Sequence, residues 1–478
     1  MKEINKITPL EQNFSQWFID VVTNGNLIEY GPVKGTIIFK PNAYGIWEAI
    51  QEQFNKILKK NHVKNVYLPM LIPAALINQE KDHIAGFSPE LATITQVGDK
   101  KLNEHIYIRP TSEVLFAQLF KSEIHSYQDL PLMYNQWANV LRWEKTTNPF
   151  LRTTEFLWQE GHTCHKSKQE AIDLTKQMIK TYESFVKEYL ALPVIVGLKT
   201  ESEKFAGAVA TYTIEAMMKD GKALQSATSH YLGQNFSKIY GIDFKNHLNQ
   251  FEHVYQTSWG LSTRIIGALI MAHGDNRGII IPPKIAPYQI DILEILANKN
   301  PDVRLMANQI KTELEAHNLR IRIDQSDKSF GFKAAQSEIE GVPLRIEVGP
   351  KDLANNQVTI VRRDTLEKTV SPIDHLVDNI KNLLNEIQNN LYNQALTRLE
   401  NNLVYTNNYQ NFKELIKQQK FVIIPLCDDP KWEKQIKDET TATSRCIPLE
   451  LKLELPKTAE CIFTGQATNR FVIFAKAY

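Results

Sequence analysis

The stretch LRWEKTTNPFLRTTEFLWQEGH, residues 141–162, sets Arg142, Glu144, Arg152, Glu155, Trp158, Glu160 and His162 among aliphatic and aromatic neighbours. An arginine, an acid two residues on, then a loop and a second arginine followed by an aromatic form a pattern suited to a nucleotide. The planar fork of Arg142 can neutralise an α-phosphate and orient its oxygens. Arg152 is placed to reach the outer phosphates, Glu144 to accept from an exocyclic amine, and Phe156 to stack on a base. A third arginine, Arg264, precedes a glycine-containing apolar segment and can close the phosphate end. One arginine carries no information, but three in this arrangement point to a polyanion.

The elements that would position these groups can be read locally. Two apolar β-type runs flank a short loop over 145–149, which predicts an antiparallel hairpin. Period-2 alternation puts Phe156, Trp158, Glu160 and His162 on one face, the composition of a pocket floor rather than of a solvated edge. Upstream, helical spacing over 45–60 runs into VYLPMLIP, where Pro69 and Pro73 stop regular pairing. In HIYIRPTSE a strand ends at Pro110, and Thr111 or Ser112 can cap a helix from Glu113 to Phe120. After the hairpin come a helix over 168–189, short β segments over 194–260, and a helix over 265–271.

Beyond Pro282-Pro283 the pattern becomes an alternation of strands and helices, ending in a helix that starts near Pro372. A chain of 478 residues is too long for one core, so two or three domains are expected. With 43% hydrophobic and 23% charged residues the chain reads as ordinary and globular. There is no apolar run of about 18 residues and no signal peptide, so no membrane association and a cytoplasmic location are expected. Four cysteines argue against a disulfide scaffold. A formal net charge of +1 means that any nucleic-acid partner must be gathered by a local basic surface.

The same segments, read as motifs, resemble those of a class II aminoacyl-tRNA synthetase. Pro69 in VYLPML resembles motif 1, LRWE with FLRTTEF motif 2, and WGLSTRIIGALI motif 3. Within the class the chain is similar to the prolyl-tRNA synthetases of the archaeal and eukaryote-like type. The matches are RPTSE (109–113), FLRTTEFLWQEGHT (150–163), KFAGA (204–208), QSATSHYLGQNFSK (225–238) and SWGLSTR (258–264). SDKSFGFK, EVGPKD and the terminal FAKAY extend the similarity over nearly the whole chain.

The resemblance implies an α+β chain. Its parts would be an antiparallel-sheet catalytic domain over 1–283, an α/β anticodon-binding domain over 284–385, and a small α/β C-terminal domain over 386–478. It implies that Thr111 and Glu113 hold the nitrogen of proline, whose secondary ammonium has only two N–H donors. Trp158, Glu160, His162 and Phe205 would line the ring pocket. Gln225, Thr228 and His230 resemble phosphate, magnesium and substrate-side contacts, with Mg²⁺ meeting Gln225 through the phosphates. Arg142, Glu144, Arg152, Thr153, Phe156, Gln225, Thr228, Ser262, Thr263 and Arg264 would contact ATP; Arg142, Arg264 and Gln225 would be catalytic, with Arg142 also touching proline. Proline's carboxylate would attack the α-phosphorus, and a terminal ribose hydroxyl of tRNA(Pro) would then take the prolyl group. A homodimer is implied by the motif 1 interface.

Plainer readings stand beside these. Trp158 and Phe205 also fit a plain core, His230 fits a satisfied structural histidine, and His162, Cys164 and His165 make a poor tetrahedral metal set. An inactive synthetase-like RNA-binding or regulatory subunit, a tRNA-independent ligase, and a sister synthetase such as the threonyl enzyme are the alternatives. Glu340, Arg345, Lys351 and Asp352 lie where the family contacts anticodon bases, but each also fits a solvated charge. Only 95 residues separate His162 from Ser258, which leaves no room for the editing domain of the bacterial form, so alanine is expected to be activated weakly and not cleared from tRNA. Of the family's four C-terminal zinc cysteines only Cys427 and Cys461 have counterparts, and Cys446 is not at a ligand position. No structural zinc is therefore expected, and FVIIPL and RFVIFAKAY should pair as strands instead. Tyr478 matches a terminal tyrosine that folds back toward the catalytic site.

Overall fold

A computed structural model describes residues 7–79 and 91–478. The chain is α+β. Among the described residues its main sheet has eleven strands, and six of them, from Leu132–Leu141 to Tyr255–Ser262, make one continuous floor. The expected hairpin is present: Leu132–Leu141 pairs antiparallel with Glu155–His165, in register from Leu132–Cys164 to Leu141–Glu155. Its loop is longer than 145–149 and covers 142–154, closed at the neck by the Arg142 N–H to the Thr154 carbonyl (2.9 Å) and again further out, where Asn148 and Arg152 exchange backbone bonds (2.7 and 2.9 Å).

One face of this sheet is covered by apolar helices. Phe14–Asn24, Pro41–Lys60, Lys168–Leu190 and Arg264–His273 bury Trp17, Trp47, Phe54, Tyr182, Phe185 and the whole Ile265–Ala272 run. Tyr182 donates to Gln159 (2.6 Å) and Ser229 to the Thr175 carbonyl (2.8 Å), so the long helix is bolted to the back of the floor. A Cβ on Gly161 would lie 2.1 Å from the Trp259 ring, so glycine is what admits the buried indole there. With one face sealed, the other face of the same strands is left for chemistry.

The second domain has the expected α/β alternation. Ile321–Asp324, Ile290–Glu294 and Leu344–Val348 are parallel, and Gln357–Arg362 and Lys368–Pro372 continue the sheet antiparallel. The expected boundary at 386 falls inside a continuous helix, Leu376–Asn402, whose buried stripe runs on through Ile387, Leu391, Ala395 and Leu399.

In the C-terminal part FVIIP and FVIFA pair antiparallel, Val422–Phe474 to Pro425–Phe471. That sheet does not stop at the domain edge. Ile447 and Pro448 pair with Leu198 and Gly197, so the C-terminal strands prolong the catalytic sheet. The Cys427 N–H donates to the Cys461 sulfur at 3.2 Å, and Cys446 is buried in its own strand. Among the described residues no three His, Cys, Asp or Glu side chains converge as a metal site, and no helix is long and apolar enough to cross a membrane.

Candidate active site

The exposed face of the floor opens into a cavity of about 390 Å³, the size of a small-ligand site. The alternation along Glu155–His165 sends Phe156, Trp158, Glu160 and His162 into it, while Gln159 points back at the helix. Gly260 lies in register between Thr228 and Glu160, and its missing side chain keeps the middle of the floor open.

At one end two carboxylates meet an apolar wall. Glu160 is 2% exposed and accepts from Ser112 (2.5 Å) and Gln136 (2.5 Å), with His162 Nε2 at 3.1 Å. His162 in turn stacks on Phe116, ring centroids 4.0 Å apart. Ser112 does occupy the N-cap of helix Glu113–Glu123, but its side chain does not cap the helix, because the hydroxyl is spent on Glu160. Thr111 donates to Glu113, and both are buried. The segment is held from behind by the fully buried Arg109, which donates to Asn139 O (2.8 Å), Leu68 O (2.7 Å) and Asn139 Oδ1 (3.1 Å). Buried, hydrogen-bonded carboxylates beside Trp158 and Phe205 suit a small ligand with a cationic nitrogen and an apolar body.

Across the cavity His230 contacts Thr211 through Nδ1 (2.9 Å) and Thr228 through Nε2 (3.0 Å), and its ring centroid is 4.7 Å from that of Phe205. Burial pushes it down to about 4, against Glu113 and reinforced by His162, so it is a neutral, oriented ring at neutral pH. The Trp158 Nε1 and Ser258 Oγ atoms are buried without a protein partner while their residues line the cavity. A bound ligand offers what they lack.

The other end is cationic. Arg142 donates from Nε to the Pro110 carbonyl (3.0 Å), and its guanidinium lies 5.4 Å from the Phe156 ring centre and 5.6 Å from that of Trp158. The carbonyl fixes the in-plane rotation and the rings fix the plane, a stiff mount for a fork. Arg264 donates from Nε to Leu151 O (3.0 Å), and its backbone N–H donates to Ser262 Oγ (3.3 Å). Burial, then the neighbouring Arg152 and Arg142, hold Arg264 down at about 10. Such mutual repulsion is relieved when an anion enters.

Gln225 and Thr228 line the cavity. Glu144 is paired with Arg152 (3.2 Å), which stands half exposed at the rim. Thr153 donates to the Glu155 carbonyl (2.6 Å), and the Thr263 N–H donates to Leu157 O (2.9 Å); both residues are buried in the frame and do not face the cavity. Sequence reasoning missed Glu203, Thr211, Ser258 and Gly260 as lining residues, and Ser112 and Gln136 as holders of Glu160. The period-2 pattern of SWGLS was a usable signal for Ser258 and Gly260.

In the second domain Glu340 accepts from Arg322 (2.7 Å), and Arg345 is paired with Glu347 (3.1 Å) and Glu338 (3.0 Å), so both are engaged in ion pairs and largely buried. Asp352 accepts from the Gly349 N–H (3.0 Å), while Lys351 is exposed.

Comparison with known proteins agrees with this geometry. The tRNA synthetase class II core domain (G, H, P, S and T) matches residues 94–273, and an anticodon binding domain matches 290–383. The cavity therefore lies in a class II synthetase core. The C-terminal domain of prolyl-tRNA synthetase matches 409–478. Proteins named proline–tRNA ligase from Mycoplasmopsis synoviae, Mycoplasmopsis pulmonis and Mycoplasma mobile are 61%, 60% and 58% identical to the chain, over all of both sequences. The chain belongs to the prolyl-tRNA synthetase family.

Proposed function

We propose that the chain is a proline–tRNA ligase, activating L-proline with ATP and passing it to tRNA(Pro). The observation that carries this reading is a cavity with buried carboxylates at one end and mutually repelling arginines at the other. Glu113 and Thr111 take the two N–H bonds of the secondary ammonium. Trp158 and Phe205 flank the ring, and Glu160 is held in place by Ser112 and Gln136. Arg142 orients the proline carboxylate against the α-phosphate, and Arg264 and Arg152 bind the outer phosphates. The carboxylate oxygen attacks the α-phosphorus, pyrophosphate leaves, and no protein nucleophile is needed. The 3′-terminal ribose hydroxyl then attacks the prolyl carbonyl, and AMP leaves.

Mg²⁺ fits the cavity: a hard ion prefers oxygen donors, and the lining residues Gln225, Ser226 and Thr228 would supply amide and hydroxyl oxygens. When bound it lowers the charge of the phosphates. In the second domain Lys351 suits a backbone phosphate, and Glu340, Arg345 and Asp352 shape the base-contacting surface through their pairs. Exposure of Tyr67, Met70 and Leu71 beside the motif 1 proline supports a homodimer, and a cytoplasmic site of action follows from the reaction. Pyrophosphate exchange across all twenty amino acids tests the assignment: proline is expected to dominate, and preference for another amino acid would overturn it.

A further inference from the structure

We infer that the C-terminal domain positions the amino-acid pocket through Glu433, which clamps the loop carrying Phe205. This rests on the reading of the cavity as a proline site. Glu433, on helix Pro430–Thr440, is buried. Its Oε2 accepts from Thr200 (2.8 Å), from Ser444 (2.8 Å) and from Ser202. Its Oε1 faces Arg470 (3.4 Å), which is itself held by Asp428 (3.0 Å) and the Leu426 carbonyl (3.2 Å). Thr200 and Ser202 belong to the catalytic domain. They open the loop that joins strand Val194–Leu198 to strand Ala210–Met217 and carries Glu203, Phe205 and Ala206 into the cavity wall.

The loop is also anchored within the catalytic domain, where Asn235 donates to the Gly207 carbonyl (2.9 Å). Phe205 N–H donates to Thr211 Oγ1 (3.1 Å), the same hydroxyl that contacts His230. Phe205 therefore hangs between a fixed point inside the catalytic domain and one supplied from more than 200 residues away in sequence. Ser202 is three residues from Phe205, a reach of at most about 10 Å, so movement at the clamp is passed to the ring wall. A second tie runs alongside. Lys199, the residue before Thr200, donates to Glu215 (2.8 Å), whose other oxygen takes Arg445 of the C-terminal domain at 3.1 and 3.0 Å. All three are buried, so this tie holds the root of the loop while Glu433 holds its first turn. Buried hydroxyls gathered on one carboxylate leave few alternative conformations. Without the carboxylate they turn to water and the loop samples open states. Only the competent fraction binds proline, so apparent affinity falls with that fraction while the phosphate end is untouched.

The test compares Glu433→Ala and Glu433→Gln in the full-length protein by pyrophosphate exchange, with Tm measured alongside. Glu433→Ala is expected to raise the proline KM about tenfold, with the ATP KM within about twofold of wild type. Glu433→Gln keeps an acceptor for the hydroxyls and should recover most of the loss. A proline KM within twofold of wild type in folded Glu433→Ala would overturn the inference, as would equal rises in both KM values. If Glu433→Ala does not fold, the double variant Thr200→Val, Ser202→Ala removes the same bonds from the loop side and is read the same way. Wild-type protein that activates no proline would instead refute the reading of the cavity.

Discussion

Replacing Arg142 by lysine keeps the charge and removes the geometry. Lysine forfeits one of two hydrogen bonds to a charged phosphate or carboxylate group, worth about 1.5–3 kcal/mol. It also loses the guanidinium's seat over Phe156 and Trp158, worth about 0.5–1 kcal/mol per ring, and the bond that fixes its rotation at Pro110. The sum is about 3–5 kcal/mol, or two to four orders of magnitude in rate. Proline-dependent pyrophosphate exchange reads this directly, and the loss should fall on kcat as well as kcat/KM, since the fork acts on charge developing at the α-phosphorus. A loss of less than tenfold, with Tm unchanged, would mean that Arg142 supplies charge alone and that the two-ring mount has no catalytic meaning.

Three further outcomes are expected. Gly161→Ala drives a methyl to within 2.1 Å of the buried Trp259 ring and should destabilise the protein by about 3 kcal/mol; a change below about 1 kcal/mol in urea unfolding would contradict this packing. Burial holds His165 down at about 4 and His273 at about 3, so between pH 6.5 and 4 the unfolded chain binds protons that the folded chain refuses. Stability should therefore rise with pH across that window and be lost as pH falls, by about 1.4 kcal/mol per pH unit for each histidine, and a flat profile from pH 6.5 to 5 would refute it. Tyr478 donates to Asp220 (2.6 Å), stacks over Lys222, and its N–H reaches Ala223 O (3.2 Å), two residues before Gln225; deleting it should slow aminoacylation about three- to tenfold, and an unchanged rate would remove it from the site.

What could be read in advance was what period and local chemistry encode. Phe156, Trp158, Glu160 and His162 share a face because strands alternate, and the sequence carries that alternation openly. The loop length did not follow, since it is set by the tertiary grip of Arg142, Thr154 and Gly35. Ser112 looked like a cap because cap and ligand-holder use the same hydroxyl, and only the position of Glu160 decides between them. Position 386 lies within one continuous helix whose apolar stripe serves two cores in succession, and nothing local in the sequence marks where one core gives way to the other. Glu433 and Arg445 were invisible, being ordinary charges whose partners lie 230 or so positions away.

The pairing of Ile447 with Leu198 has a consequence for how the chain is made. About 250 residues must be synthesised after strand Val194–Leu198 before its neighbour exists, roughly 12–50 s at ordinary ribosomal speeds. Through that interval the nascent catalytic half presents an open strand edge and a Glu215 lacking one of its two cations. Such an edge invites pairing with another chain. The half-made protein is thus most exposed to chaperones and to misassembly while its site is still forming, and the arrival of strand Thr443–Pro448 is what ends that exposure.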